Sequence, residues 1–349
     1  MEEIHFYWIL EVLILYKYID LKNTTNFSEL EEAGNIIKSG GLVLFPTETV
    51  YGLGANGLDE DAVKKIYLAK GRDFKNPINL LVDSMSMIES VAKNISSLEK
   101  ALMEAFSPGP FTIILEKQEV VPDIVTAGQS SVGVRMPSGA IAKKLVEYAG
   151  VPIAAPSANI SGKVSGTSFD DILEDFKDKV DCAIDGGNSE IGIESTIVKV
   201  IDGVVHILRP GSITEEQILQ FAPIVIKDYE DENSANVNHS NHYTPNSNCV
   251  LVYSKDNKKM VDEINKIATK YSKPCILSTH ENLSFYNGKT VIDVGSDLNE
   301  IARNIFSCLK KADSFNPDIV IIEGVEQSGI GAAIMNRLLK ACKGNFFEC

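Results

Sequence analysis

From about residue 28 onward, short apolar runs alternate with amphipathic stretches, the pattern of strands interleaved with helices. Segment 28–38 is expected to be helical, and GGLVLFP (40–46) to be a buried strand closed by Pro46. Segment 59–70 predicts a helix with Asp59 as N-cap, Glu60 and Asp61 at the positive end of its dipole, and Gly71 as its stop. Val63, Ile66 and Tyr67 form its apolar stripe, so Lys70 and Arg72 project from a helix terminus. NLLV, TIILE, SVGVRM, VPIAA, CAID and the pair TIVKVI/VVHILRP supply further strands.

A composition shift interrupts this pattern. Residues 227–248 are polar, Asn-rich and nearly free of aliphatics, which predicts a linker or loop. After it come CVLVYS, a helix near 257–271, PCILST, TVIDVGS, a helix near 297–313, DIVIIEGV and a last helix near 331–342. Strands alternating with helices over this length predict a small parallel-sheet domain. The expected division is an N-terminal extension with a first strand (1–27), an α/β domain (28–226), a linker (227–248) and a second α/β domain (249–349).

A chain of 349 residues fits two domains, and 44% hydrophobic with 23% charged residues describes an ordinary globular protein. The formal net charge of -15 argues against coating nucleic acid through the overall field, yet Lys70, Arg72, Lys75, Arg135 and Arg209 can still build a local basic cleft. Six scattered cysteines without a CxxC pair read as reduced thiols in a cytosolic protein, neither a disulfide framework nor a zinc site. The five histidines lack metal-ligand spacing, and His206 is read as a strand residue. FYWILEVLILYKYI (6–19) is apolar, but Glu11 and Lys17 interrupt it and it is shorter than the roughly 20 residues of a spanning helix. Glu2 and Glu3 stand where a signal peptide has basic residues, so no membrane association is expected. An early-assigned start codon and a genuine extra element remain equal readings of this extension.

Candidate chemistry sits where glycine or proline breaks the pattern beside a strand. GLGANG (52–57) satisfies GxGxxG, but Pro-Thr-Glu-Thr-Val-Tyr separates it from the strand ending at Pro46, so a dinucleotide site is rejected. PTETVYGLG (46–54) offers two threonine hydroxyls, a carboxylate and glycines that admit a ligand to the backbone; a plain turn is the bland reading. In SVGVRMP (131–137) the period of two puts Val132, Val134 and Met136 on one face and Ser131, Gly133 and Arg135 on the other. That second face suits a ligand floor, with Arg135 as a fork for carboxylate or phosphate, or else a solvated sheet face.

APSANISG (155–162) places Ser157 and Asn159 at the carboxyl end of a buried strand, where open α/β sheets bind ligands. Residues 195–211 read as a hairpin with Asp202-Gly203 as a type I′ turn. That register carries Thr196 opposite Arg209, so that Ser195, Thr196 and Arg209 converge at the open end. No Ser–His–Asp set, paired carboxylates or Walker A lysine loop is present in the sequence. Chemistry by positioning and charge stabilisation follows, without a covalent protein nucleophile.

Taken together, PTETVYGLGAN, KGR, TAGQSSVGVRMP, VPIAAPSAN, DGG, ESTI, LRPG and the terminal GIGAAIMNRLLKA (329–341) resemble the YrdC-like threonylcarbamoyl-AMP synthases in their long, two-domain form. The resemblance covers nearly everything from residue 28 onward. It implies a YrdC-like twisted α/β sheet domain followed by a Rossmann-like parallel-sheet domain. It also implies a nucleotidyltransferase reaction: L-threonine, bicarbonate or CO2, and ATP give threonylcarbamoyl-AMP and pyrophosphate, with Mg2+ riding on the ATP phosphates. The activated group is expected to pass, through separate tRNA threonylcarbamoyl transferase proteins, to an adenosine in tRNAs reading ANN codons, with a possible tRNA contact.

By the same resemblance, Thr49, Arg135, Ser195, Leu81 and the backbone at Ala155 are expected to bind threonine. Lys70, Arg72, Asn76, Ser131, Ser157, Asn159, Ser165, Arg209 and Tyr243 are expected to bind ATP, with Lys70, Arg72 and Arg209 stabilising charge. Two positions depart from the family pattern. Leu81 stands where many relatives carry histidine, and the interdomain loop keeps only His242, Tyr243 and Pro245 of the family's motif. This 227–248 loop is nevertheless expected to close over ATP. The competing readings are an RNA-binding module of the same fold without turnover, and a carbamoyl-transfer domain of hydrogenase maturation proteins. The latter occurs beside an acylphosphatase-like domain and zinc fingers, which this sequence lacks.

Overall fold

The computed structural model describes residues 16–223, 225–226 and 243–349. The N-terminal run before residue 16 and most of the polar connection, His242 included, lie outside the described residues.

Twelve strands form the larger sheet. From one edge it runs β1 (Lys17–Asp20), β9 (Cys182–Asp185), β2 (Val43–Phe45), β3 (Gly52–Asn56), β8 (Ile153–Ala154) and β4 (Leu80–Leu81). It continues through β7 (Ser131–Arg135), β6 (Phe111–Lys117), β10 (Thr196–Ile201), β11 (Val204–Arg209) and β12 (Val225–Ile226), with β5 (Ala92–Lys93) paired to β6. Parallel and antiparallel neighbours mix: β1 lies parallel to β9, whereas β3 runs antiparallel to both β2 and β8. Because β1 joins this sheet, its edge is built from residues that precede the first helix.

The second sheet is parallel throughout, in the order β15 (Thr290–Gly295), β14 (Pro274–Thr279), β16 (Ile319–Glu323), β13 (Cys249–Tyr253) and β17 (Phe346–Glu348). Helices Asn257–Ala268, Leu298–Ser314 and Ile330–Ala341 connect its strands, as the alternating pattern predicts. The two-domain α/β architecture expected from the sequence is therefore present.

Local chemistry accounts for the elements near the pocket. The helix Glu60–Lys70 begins where the Asp59 side chain accepts from the amides of Asp61 and Ala62, and ends at Gly71 in the left-handed conformation (φ 61°). At the 201–204 turn, Asp202 (φ 50°) and Gly203 (φ 77°) both take the positive φ that a type I′ hairpin requires. Pairing runs as expected from Ile201↔Val204 to Val198↔Ile207, and then shifts. Ile197, not Thr196, lies opposite Arg209, because Leu208 is an extra residue that bulges the strand. Thr196 turns away from the open end, its hydroxyl donating to the Ile213 carbonyl at 2.6 Å.

The glycine run also differs from expectation. GLGAN is a buried strand, and a Cβ on Gly54 would lie 2.7 Å from Phe45 Cε1 and 2.8 Å from Ile153 Cγ2. Gly54 thus makes room for core side chains, not for a ligand.

The cores follow from these layers. Helices Leu30–Lys38 and Ala140–Ala149 pack over one part of the large sheet through Leu30, Ala33, Ile37, Leu145 and Val146. A cluster centred on the second sheet also takes in Val50, Val164 and Ile193 from the first domain, beside Ile305 and Phe306. The domain boundary is therefore packed with apolar side chains. Polar ties reinforce it: Arg303 Nε donates to the Glu190 carbonyl at 3.0 Å, and Lys310 Nζ to that of Asp171 at 2.7 Å.

Gly54→Ala should destabilise the fold by about 1–3 kcal/mol through overpacking. The check is the urea midpoint at unchanged m-value; a midpoint equal to wild type would show that β2, β3 and β8 are not closely packed there.

Candidate functional site

One cavity gathers the sequence-predicted residues. Its floor is β7, whose Ser131, Gly133 and Arg135 face inward while Val132, Val134 and Met136 join the apolar core, in keeping with the period of two; Val132 also touches the rim. A Cβ on Gly133 would lie 2.1 Å from Asn79 Oδ1, so the glycine leaves space that the Asn79 side chain occupies. Leu81 lines the cavity beside Arg135, its register partner across β4 and β7.

The PTET loop supplies the next wall. Thr47 Oγ1 donates to the Val50 carbonyl at 2.6 Å and lies 2.9 Å from Thr49 Oγ1, which fixes the turn. Thr49 Oγ1 in turn accepts from Arg135 Nη1 at 2.9 Å. Behind them, Glu48 is buried, with Oε1 2.7 Å from Arg135 Nη2. The Ser138 and Gly139 amides donate to the same carboxylate at 3.1 and 3.2 Å. Burial pushes the Glu48 carboxyl up, but Arg135 and the Ser138 amide outweigh it and hold the group below the usual range. Nε donates to the Gly109 carbonyl at 3.3 Å, whereas Nη2, though 2.7 Å from Glu48, makes no hydrogen bond, so Arg135 keeps N–H donors for a ligand.

Across the cavity stand one buried and two half-buried basic residues. Lys70 is 1% exposed, and its ammonium donates to the carbonyls of Ser157 and Asn159. Arg72 donates to the carbonyls of Asn76 and Pro77 at 3.2 and 2.9 Å. Arg209 donates to the Ser195 carbonyl at 3.1 and 2.9 Å and to its hydroxyl at 3.1 Å. Among the described residues no carboxylate comes within ion-pair distance of any of the three. Burial, reinforced by Arg72, drives the Lys70 ammonium well below its ordinary value. A cation cluster whose partners are carbonyls and one hydroxyl, with no carboxylate among them, suits an anionic ligand.

Segment 155–165 is tied to the strand bearing the PTET loop: Leu53 N donates to the Pro156 carbonyl at 3.1 Å, and Ala158 N to that of Tyr51 at 2.7 Å. Ala155, Ser157, Asn159 and Ser165 all line the cavity. The Asn159 amide is committed to the carbonyls of Ile160 and Lys163, so it shapes the loop from within. Asn76 stands apart from the cavity lining, and its contribution there is the carbonyl that receives Arg72.

Sequence reasoning missed several wall residues, Thr112 and Glu194 among them. Thr112 on β6 lies 2.8 Å from Ser195 Oγ. Glu194 Oε1 accepts from Ser165 Oγ at 2.7 Å, while Arg337 of the second domain donates to Oε2 at 3.1 Å. Burial raises the Glu194 carboxyl, but Arg337 and Arg209 hold it below the usual range. Tyr243 completes this corner with a left-handed backbone (φ 62°), its ring stacked on Phe306 at 5.2 Å. Burial and then Glu194 push its phenol up to about 12, so it stays neutral.

Comparison with known proteins shows the family to which the chain belongs. Residues 35–211 match the Sua5–YciO–YrdC family model, described as telomere recombination, and residues 213–342 match the threonylcarbamoyl-AMP synthase C-terminal domain. The chain is 42% identical over 318 residues to the threonylcarbamoyl-AMP synthase of Pyrococcus abyssi, covering 88% of this chain and 92% of the relative. It is 36% identical over 331 residues to that of Bacillus subtilis, covering 92% and 95%. The crystal structure of Pyrococcus abyssi Sua5 complexed with L-threonine superposes with a TM-score of 0.88 at 38% identity, covering 95% of this chain and 99% of that one.

Two outcomes test the site. Lys70→Met should leave the ligand-free protein at least as stable as wild type, yet abolish the rise in Tm that inorganic tripolyphosphate gives. Full stabilisation of that variant by tripolyphosphate would refute the anion site. For Glu48 the folded pKa lies below the unfolded one, so its stabilisation is complete above about pH 4.3 and is lost as pH falls through the folded value. The gap in urea midpoint between wild type and Glu48→Gln should therefore be constant near neutrality and close in acid; a gap unchanged at about pH 3 would contradict this.

Proposed function

Because the chain belongs to the Sua5–YciO–YrdC family in its two-domain form, we propose that it is a threonylcarbamoyl-AMP synthase acting on L-threonine and ATP. The observation that carries the site assignment is the set of Lys70, Arg72 and Arg209, none paired with a carboxylate, lining one cavity with Arg135, which keeps N–H donors for a ligand. Two anionic groups of different shape fit there: a polyphosphate against Lys70, Arg72 and Arg209, and a carboxylate on Arg135.

In this reading the threonine amine takes up CO2 to form a carbamate, releasing a proton. A carbamate oxygen then bonds to the α-phosphorus of ATP while the bond to the β-phosphate oxygen breaks, and pyrophosphate leaves. Arg135 holds the threonine carboxylate, with Thr49, Ser195, Leu81 and the Ala155 backbone around it. Ser131, Ser157, Asn159, Ser165 and Tyr243 border the nucleotide, and Asn76 acts through Arg72. Lys70, Arg72 and Arg209 stabilise charge on the phosphates, which is catalysis by preorganised electrostatics. Glu194, the carboxylate on the wall, is already engaged by Ser165 and Arg337, so a magnesium ion brought in with ATP would find no free protein carboxylate here and would supply charge neutralisation at the phosphates.

The product is proposed to pass to separate transferase proteins that modify tRNA, in the cytosol. No helix among the described residues is long and apolar enough to cross a membrane. The RNA-binding alternative has less support, because a cavity that encloses Arg135 and Lys70 offers its charges to a small ligand and not to a duplex.

Pyrophosphate release from ATP and bicarbonate should depend on L-threonine in the wild type. It should fall by about 100-fold or more in Arg135→Ala. No release by the wild type would overturn the synthase reading.

A further inference from the structure

The last helix, Ile330–Ala341, carries an arginine on its buried face. Arg337 is 0% exposed and shares that stripe with Ala333, Ile334, Leu338 and Ala341. Its guanidinium spends donors on three oxygens of the other domain. Nε donates to Glu194 Oε2 at 3.1 Å, Nη2 to the Glu194 carbonyl at 3.3 Å, and Nη1 to the Pro210 carbonyl. The Tyr243 ring lies 5.9 Å from its centre.

Glu194 immediately precedes Ser195, and Pro210 immediately follows Arg209. These four residues are the two arms at the open end of the β10–β11 hairpin. The ladder is irregular there, because the Leu208 bulge shifts its register between Ile197 and Val198. One planar fork from the second domain therefore ties the arms where strand pairing is irregular, while Arg209 ties them from the cavity side through the Ser195 carbonyl.

We infer that Arg337 is a positioning residue for the synthase reaction: it holds the hairpin mouth so that Ser195 and Arg209 are presented to the substrates, and makes the C-terminal domain part of the active site. This rests on the synthase reading above. Arg337 does not line the cavity and acts only through the arms it joins.

The test compares wild type with Arg337→Lys, which keeps the charge but loses the fork, and with the double variant Arg337→Gln/Glu194→Gln, which leaves no buried charge alone. KM for ATP, kcat for threonine-dependent pyrophosphate release and Tm are measured on the full chain. KM for ATP should rise about tenfold or more in both, with Tm within a few degrees of wild type. A merely structural role would lower Tm and apparent kcat while leaving KM unchanged, and that result would overturn the inference. An unchanged KM in both variants beside an active wild type overturns it alone. A wild type without threonine-dependent release overturns it together with the synthase reading.

Discussion

Gathering several basic side chains at one cavity without a carboxylate to pair with them is the constraint around which this structure is arranged. Lys70, Arg72 and Arg209 are each turned toward main-chain carbonyls. A carboxylate at these positions would stabilise the ligand-free fold and fill the anion site at once. Carbonyl dipoles stabilise a buried cation less, and so leave charge for a ligand. The loops that supply those carbonyls must then be rigid. Segment 155–165 is therefore bonded to the strand that follows the PTET loop, and the Asn159 amide is spent on its own loop.

Each of the two carboxylates at the site is paired with an arginine. Glu48 backs Arg135, and Glu194 sits between Arg337 and the cavity. In each case burial alone would raise the carboxyl's pKa, and the neighbouring guanidinium reverses the shift. Both stay ionised near neutral pH and act as fixed acceptors. Arg135 is held by the Thr49 hydroxyl and the Gly109 carbonyl beside the Glu48 carboxylate and keeps donors for a ligand, the preorganisation a carboxylate ligand needs.

Much of this was legible in the residues. The period of two in SVGVRM separates floor from core, because side chains on a strand alternate faces. Asp59 and Gly71 bound their helix by capping chemistry that is local in sequence. What failed was non-local. The glycines after the PTET loop read as openings for a ligand, and only the positions of Phe45 and Ile153 explain why glycine is needed at position 54. The Leu208 bulge has no local signature, so the regular hairpin register misplaces Thr196 by one residue. Arg337 carried a signal that went unused. An arginine within the stripe Ala333, Ile334, Leu338 and Ala341 must find acceptors when the helix packs, and so marks a polar contact between elements.

That contact bears on why two domains form one protein. An apolar boundary through Val50, Val164 and Ile193 would suffice to dock the second sheet. It would not fix the hairpin mouth, because dispersion contacts are not directional. The fork of Arg337, the stacking of Tyr243 on Phe306 and the left-handed backbone of Tyr243 do supply direction, and all three lie at the Glu194 corner of the cavity. Threonine and nucleotide groups must meet within a few tenths of an ångström of a reactive geometry, so a loosely docked domain would transmit its disorder to Ser195 and Arg209. The second domain thus sharpens a site whose charges all belong to the first.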